Sequence, residues 1–184
     1  MPIVFHKNIK LKKNERGEEM ILAIDPGMIT GYALGVNKKL VEYGIWNTKV
    51  RNRTKKMAGQ PKYYRIYNFH ESLSAKLIHL PPLCRYKNYS VRYVLCEDAL
   101  GFQRGRAAVE VSHKFRAIVE LVCCKQNLPL TYIQPYDLKR FATGKATADK
   151  GEMIRAAAKY GYEGNDDNVA DAIHLLFWGF NFLE

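Results

Sequence analysis

Three acidic positions in this chain stand where a carboxylate needs a reason. Asp25 closes the apolar run Met20-Ile21-Leu22-Ala23-Ile24, and Glu97 closes a second β-prone run that begins at Ser90. An unpaired carboxylate in an apolar setting costs several kcal/mol, so acids seldom end buried strands without cause. The third group is Asp166-Asp167-Asn168-Val169-Ala170-Asp171-Ala172-Ile173-His174. On a helix Asp167 and Asp171 share a face at i and i+4, and Asn168 and Asp171 share it at i and i+3. Like charges placed so destabilise a helix unless a cation sits between them. Oxygen donors without a cysteine or multiple-histidine set suit a hard ion, Mg²⁺ or Mn²⁺. Asp166 and Asp167 also suit a helix N-terminus as cap and first-turn acids, and Asp25 suits an Asp-Pro-Gly turn. Neither explanation reaches Asp171, a full turn further in and flanked by Ala170, Ala172 and Ile173.

The elements that must position these acids follow from periodicity. Met20 to Asp25 reads as a buried strand stopped by Pro26-Gly27. Thr30 to Val36 and Leu40 to Trp46 form a hairpin around Asn37-Lys38-Lys39. Ile66, Phe69, Leu73, Leu77 and Leu80 step by three and four, which predicts a helix from about Lys62 to the Pro81-Pro82 break. Ser90 to Glu97 is a fourth strand, with Val91, Tyr93 and Leu95 on one face and Val94 and Cys96 on the other. Val111, Phe115, Ile118 and Val122 mark a helix over about 106–126, and Leu130 to Ile133 a short fifth strand. Lys150 to Tyr160 and Asn168 to Phe182 read as closing helices. The order β-β-β-α-β-α-β-α-α describes an α/β fold, a mixed sheet whose first three strands form a meander. Strand ends on one edge of such a sheet are where sites form.

With 184 residues, 47% apolar and 26% charged, the chain has the size and composition of one globular domain that needs neither disulfides nor metal merely to fold. Cys84, Cys96, Cys123 and Cys124 include no C-x-x-C pair, which fits a reducing interior and excludes zinc-ribbon spacing. No signal-peptide pattern or membrane-length apolar run is present, so a soluble intracellular protein is expected. The net charge is +11, of which residues 1–65 hold +9 and residues 66–184 only +2. Such a balance points to a polyanion, most often nucleic acid. Lys7 to Arg16 and the run containing Arg51, Arg53, Lys55 and Lys56 supply most of the excess, read either as solvated segments or as phosphate contacts.

Taken in order, Ile24-Asp25-Pro26-Gly27 with Thr30-Gly31-Tyr32-Ala33, Val94-Leu95-Cys96-Glu97-Asp98, and Asn127-Leu128-Pro129 resemble RuvC-type Holliday junction resolvases of the ribonuclease H-like superfold. The segment from Pro135 through Leu138-Lys139 to Thr143-Gly144-Lys145, then Ala148-Asp149-Lys150 and Asn168-Val169-Ala170-Asp171-Ala172, completes the resemblance. It covers about Met20 to Leu176 and is nearest in flavour to the phage-encoded branch, which implies a bacterial cytoplasm. The implied organisation is a basic extension over 1–19 and a nuclease domain over 20–184. The implied fold is a ribonuclease H-like five-stranded mixed sheet, antiparallel in its first three strands and flanked by helices.

The resemblance implies four acidic positions holding two divalent ions, Mg²⁺ or Mn²⁺. Asp25, Glu97 and Asp171 carry over directly. The remaining position falls on Asn168, and either Asn168 ligates through its amide oxygen or Asp167 takes the role; Asp167 is preferred because a charged oxygen holds Mg²⁺ better. Two basic residues near the scissile phosphate map to Lys139 and Lys150. The implied activity is paired nicking of a four-way DNA junction by a homodimer, with no membrane association. The face of Val111, Phe115, Ile118 and Val122 is a candidate for the dimer contact or, equally, ordinary core. Gly101 to Arg106 follows Glu97, and the resemblance takes that loop to the junction centre, with Phe102 stacking on a base and Arg104 and Arg106 beside it. Lys145 lies in a loop read as close to DNA, because Thr143-Gly144-Lys145-Ala146 lacks the spacing of a Walker phosphate loop. His174, i+3 from Asp171, reads as a core histidine ahead of a metal contact.

Rival readings remain. Another ribonuclease H-like nuclease would cut flap or branched DNA or RNA:DNA hybrids. A sugar-kinase or actin-like ATPase would need a second lobe and a second phosphate turn, for which the chain is too short. A catalytically inert junction binder has Asn168 as its only support.

Overall fold

The computed structural model describes residues 20–48, 64–78, 90–98 and 106–183. Over them the chain forms β1 (Met20–Asp25), β2 (Ile29–Val36), β3 (Lys39–Asn47), α1 (Tyr64–Ile78), β4 (Val91–Glu97) and α2 (Arg106–Lys125). There follow β5 (Leu130–Ile133), α3 (Pro135–Thr143), α4 (Lys150–Ala157) with a 3-10 turn at Ala158–Tyr160, and α5 (Asp167–Phe182). The strands make one sheet in the order β3-β2-β1-β4-β5. β1, β2 and β3 pair antiparallel, whereas β4 runs parallel to β1 and β5 parallel to β4. The fold is therefore the mixed, helix-flanked sheet that the sequence led us to expect.

The two-residue period of the strands sorts the core into two layers. Ile21 and Ala23 of β1, with Tyr93 and Leu95 of β4, pack beneath α3, α4 and α5. Met20, Leu22 and Ile24, with Val94 and Cys96, face Phe69 and Leu73 of α1 and Phe115, Val119 and Val122 of α2. The central strands are thus buried on both faces, which is why they read as nearly continuous apolar runs.

Three details differ from the sequence reading. The segment from Pro135 to Thr143 is a helix, α3, which the sequence order lacked. Its start and stop are a proline in its first turn and Gly144 at φ 79°, closing the helix through a hydrogen bond from its N–H to the Arg140 carbonyl. Thr143-Gly144-Lys145 is consequently a helix cap, and Lys145 pairs with Glu152 at 2.8 Å. Val91 lies in the α1–α2 layer, opposite to Tyr93 and Leu95, because the register slips between Met20 and Ile21 so that Met20 pairs with Val91 and Ile21 with Tyr93. The hairpin turn contains only Asn37 and Lys38, both at positive φ (50° and 62°), and Lys39 already pairs with Val36.

Phe115 and Val122 are core residues, and Val111 and Ile118 pack against that core, so this stripe of α2 serves the fold. Cys96, Cys123 and Cys124 are free thiols. Among the described residues no helix is long and apolar enough to cross a membrane.

Candidate metal centre

Strand parity places the first two acids. Residues 21, 23 and 25 of β1 and 93, 95 and 97 of β4 point to the same side, toward α5, and Ile24 pairs with Cys96 one step before each strand ends. Asp25 and Glu97 therefore emerge side by side at the carboxyl ends of two parallel strands. The third acid comes from α5, whose first turn is pressed onto β2. Asp166 caps this helix: its Oδ1 accepts from the backbone N–H of Asn168 at 3.0 Å and of Val169 at 3.3 Å. The Tyr162 hydroxyl holds the cap from outside, accepting from the Asp166 N–H at 2.9 Å and donating to its carbonyl at 3.0 Å. One turn further, Asp171 meets the strand-end pair.

Carboxylate oxygens of Asp25, Glu97 and Asp171 lie within 4.8 Å of one another. Each acid is shifted upward, chiefly by burial. Asp25 stands well above the ordinary carboxylate range, with the neighbouring Glu97 charge adding to the effect of burial. Glu97 is pushed up to about 7, by burial and then by Asp171. Asp171 is pushed up to about 8, by burial and then by Asp25 and Asp167. The Lys139 charge opposes the shift at Glu97 and Asp171, and the Lys150 charge opposes it at Asp25 and Asp171. Asp171 Oδ1 is buried without a hydrogen-bond partner. A buried acceptor left unpaired among three crowded carboxylates is the arrangement that a hard cation with oxygen preference resolves. The residues present fit such an ion.

The other expected site residues take different places. Asp167 is outside the group of three and forms an ion pair with Lys150, which begins α4 and is largely exposed. The Asn168 side chain donates its amide N–H to Asp166 Oδ1 at 3.0 Å. Lys150 follows Asp149, whose carboxylate accepts from the Glu152 N–H at 2.8 Å while Glu152 accepts from the Asp149 N–H at 3.0 Å. This capping box fixes where α4 begins and so where Lys150 stands. His174 is a core residue: its Nε2 contacts the Met153 carbonyl at 3.0 Å, its ring meets Tyr160 edge-on, and burial lowers its pKa. Phe102, Arg104, Arg51, Arg53, Lys55, Lys56 and the side chain of Arg106 lie outside the described residues.

Sequence reasoning gave no role to the residues that pin the turn after Asp25. The Thr30 hydroxyl donates to the Gly27 carbonyl at 2.8 Å and accepts from the Gly27 N–H at 3.1 Å. Both the N–H and the hydroxyl of Thr48 donate to the Met28 carbonyl at 3.0 Å. Thr30 and Thr48 are fully buried. A buried threonine a few residues beyond a Pro-Gly turn was the available signal for the first; the second depends on the β2–β3 pairing.

A five-stranded sheet in this order, with acids converging at the carboxyl ends of its two central parallel strands, is a ribonuclease H-like architecture. No family model matches the chain. Among curated proteins, the crossover junction endodeoxyribonuclease RuvC of Petrotoga mobilis is 25% identical over 171 residues, covering 89% of this chain and 94% of that protein. Among solved structures, T. thermophilus RuvC in complex with Holliday junction substrate superimposes with a TM-score of 0.64 at 17% identity, over 86% of this chain and 91% of that one. The yeast mitochondrial Holliday junction resolvase Ydc2 gives a TM-score of 0.50 at 14% identity, over 95% and 82%. The chain is RuvC-like in sequence and in fold.

Proposed function

We propose that this protein is a divalent-metal-dependent, structure-selective DNA endonuclease that resolves four-way junctions by paired nicks made by a homodimer. The observation that carries this reading is the convergence of Asp25, Glu97 and Asp171 with a buried, unpartnered Asp171 oxygen, in a chain whose curated relative is a crossover junction endodeoxyribonuclease.

Asp25, Glu97 and Asp171 would hold the metal, with Asp167 completing the set ahead of Asn168 because a charged oxygen holds Mg²⁺ better. The ions are two Mg²⁺, or Mn²⁺, per site. Such a pair, when bound, lowers the pKa of an attacking water and stabilises the leaving oxygen of a phosphodiester. The carboxylates position and neutralise; none needs to exchange protons with the DNA. Lys139 and Lys150, whose charges favour the ionised acids, stabilise negative charge growing on the scissile phosphate. Lys145, Arg51, Arg53, Lys55 and Lys56 draw in the DNA backbone, with Phe102, Arg104 and Arg106 at the branch point. Residues 1–19 act as a basic extension to a nuclease domain spanning 20–184. The free thiols fit a bacterial cytoplasm as the working compartment, whether the chain is of host or phage origin.

The test is cleavage of a four-way junction, a Y-fork, an RNA:DNA hybrid and a linear duplex, with Mg²⁺ and with chelator. Symmetric nicks in the four-way junction that require metal are expected. Preferential cutting of the hybrid, or cutting that survives chelation, refutes the proposal.

A further inference from the structure

The residue after Glu97 is fastened from three directions. The Asp98 N–H donates to the Ile133 carbonyl at 2.8 Å, carrying the β4–β5 pairing one residue past the strand end. Its carboxylate accepts from Arg116 Nη1 of α2 at 2.7 Å on one oxygen and from Gln134 Nε2 at 2.9 Å on the other. Arg116 is itself held in place: its Nε donates to Glu120 at 3.0 Å, and its guanidinium lies 3.8 Å from the centre of the Tyr132 ring. The Tyr132 hydroxyl in turn donates to Glu120 at 3.3 Å. The Asp98 and Arg116 side chains are 15% and 22% exposed, so their pairing is screened less than a surface ion pair.

Two features link this network to the carboxylate cluster. Glu97, Asp98, Arg116 and Tyr132 line one small cavity of about 10 Å³, so the clamp and the metal-holding side chain share a wall. Gln134 occupies the N-cap position of α3 but makes no side-chain cap there; its amide goes to Asp98. α3 carries Lys139, which acts on Glu97 and Asp171. A single guanidinium thus ties the end of β4 to α2 and, through Asp98 and Gln134, to the start of the helix that bears Lys139.

We propose that Arg116 is a positioning residue for the metal centre, holding Glu97 and α3 in register through Asp98. This rests on the reading of Asp25, Glu97 and Asp171 as metal ligands. Residues that orient ligands from behind commonly change metal affinity by about 10–100-fold when lost.

The test uses the full chain and Mn²⁺ alone as probe, followed by electron paramagnetic resonance, with junction affinity in chelator and thermal midpoint measured in parallel. Arg116→Met keeps an apolar stem over Tyr132 and removes the donors; Asp98→Ala removes the acceptor from the other side. Each is expected to weaken Mn²⁺ binding by about tenfold and to leave junction affinity near the wild-type value. The double variant is expected to bind Mn²⁺ no more weakly than the worse single one, because both break one link. Arg116→Lys should recover part of the affinity. Wild-type Mn²⁺ affinity in Asp98→Ala, or additive losses in the double variant, overturns the proposal even if Arg116→Met folds poorly. A lowered thermal midpoint with unchanged Mn²⁺ affinity overturns it as well, since the network would then serve stability alone. If the wild-type protein binds no Mn²⁺, the metal-site reading itself fails and the positioning role falls with it.

Discussion

Gly31 and Asn168 touch through their backbones. A β-carbon on Gly31 would lie 1.9 Å from the Asn168 carbonyl oxygen and 2.2 Å from its carbonyl carbon. Gly31 is also the cross-strand partner of Asp25. The first turn of α5 is therefore seated directly on the strand pair that ends in Asp25, and only glycine permits the approach. Gly31→Ala must push α5 outward, since backbone cannot rotate away as a side chain can. Destabilisation of about 1–3 kcal/mol is expected from such overpacking, with cleavage falling more steeply than stability because Asp171 moves with the helix. Thermal denaturation and junction cleavage measure the two; wild-type cleavage by the alanine variant would contradict the contact.

Asp25→Asn and Glu97→Gln keep shape and remove charge. Each is expected to abolish metal-dependent cleavage while junction affinity stays within about threefold, because positioning on DNA rests on phosphate contacts made elsewhere. Gel-shift titration in chelator alongside a cleavage time course separates the two properties. Equal loss of both would assign these acids to DNA binding or folding.

Asp167 and Asn168 are the two candidates for the proposed fourth ligand, and their present partners differ. Asp167 pairs with Lys150, and Asn168 is drawn to the Asp166 cap. Asp167→Asn is expected to lower cleavage by at least about tenfold, as loss of a charged oxygen ligand should. Asn168→Ala should cost only the hydrogen bond from its amide to Asp166, about 0.5–1.5 kcal/mol of stability. Undiminished cleavage by Asp167→Asn would transfer the ligand role to Asn168.

The carboxylate cluster also sets a pH dependence. Glu97 and Asp171 stand at about 7 and about 8 against ordinary values of 4.5 and 3.8, and Asp25 is raised as well. Over that interval the native protein holds protons that the unfolded chain has lost. Unfolded minus native proton uptake is then negative, so these groups lower stability as pH rises toward 8. Asp171→Asn removes one of them. Without metal, its thermal midpoint should exceed that of wild type at pH 8 by more than at pH 5, by a difference on the order of 3 °C. Metal affinity should change the other way and strengthen with rising pH, since bound ions displace those protons. A variant-to-wild-type difference that does not change with pH would count against the crowding of these three acids.

The sequence made the sheet and three of its acids legible for one reason: strand parity is local. Residues 21, 23 and 25 share a face whatever surrounds them, as do 93, 95 and 97, and Asp171 stood out because caps act only on a first turn. Where position depends on another element, the sequence was mute. Val91 changed face because of a slip in its pairing with β1. α3 escaped notice because its nine residues are short for a periodic pattern, although Pro135 and Gly144 mark its ends. The Asp167–Lys150 pair needs α4 to start beside α5, and the Arg116–Asp98 link needs α2 to lie against the end of β4. Neither proximity is written in either segment alone.

The parallel pairing of β1 with β4 has a kinetic side. Asp25, Glu97 and Asp171 come from widely separated parts of the chain, so their mutual repulsion cannot be felt until that pairing and the docking of α5 are both complete. Bringing segments of such long sequence separation together costs loop-closure entropy before any contact rewards it. The expected consequence is that a cation which relieves the crowding acts on the native state, so that Mn²⁺ slows unfolding more than it speeds refolding; equal effects on both rates would place the crowding in the folding barrier instead.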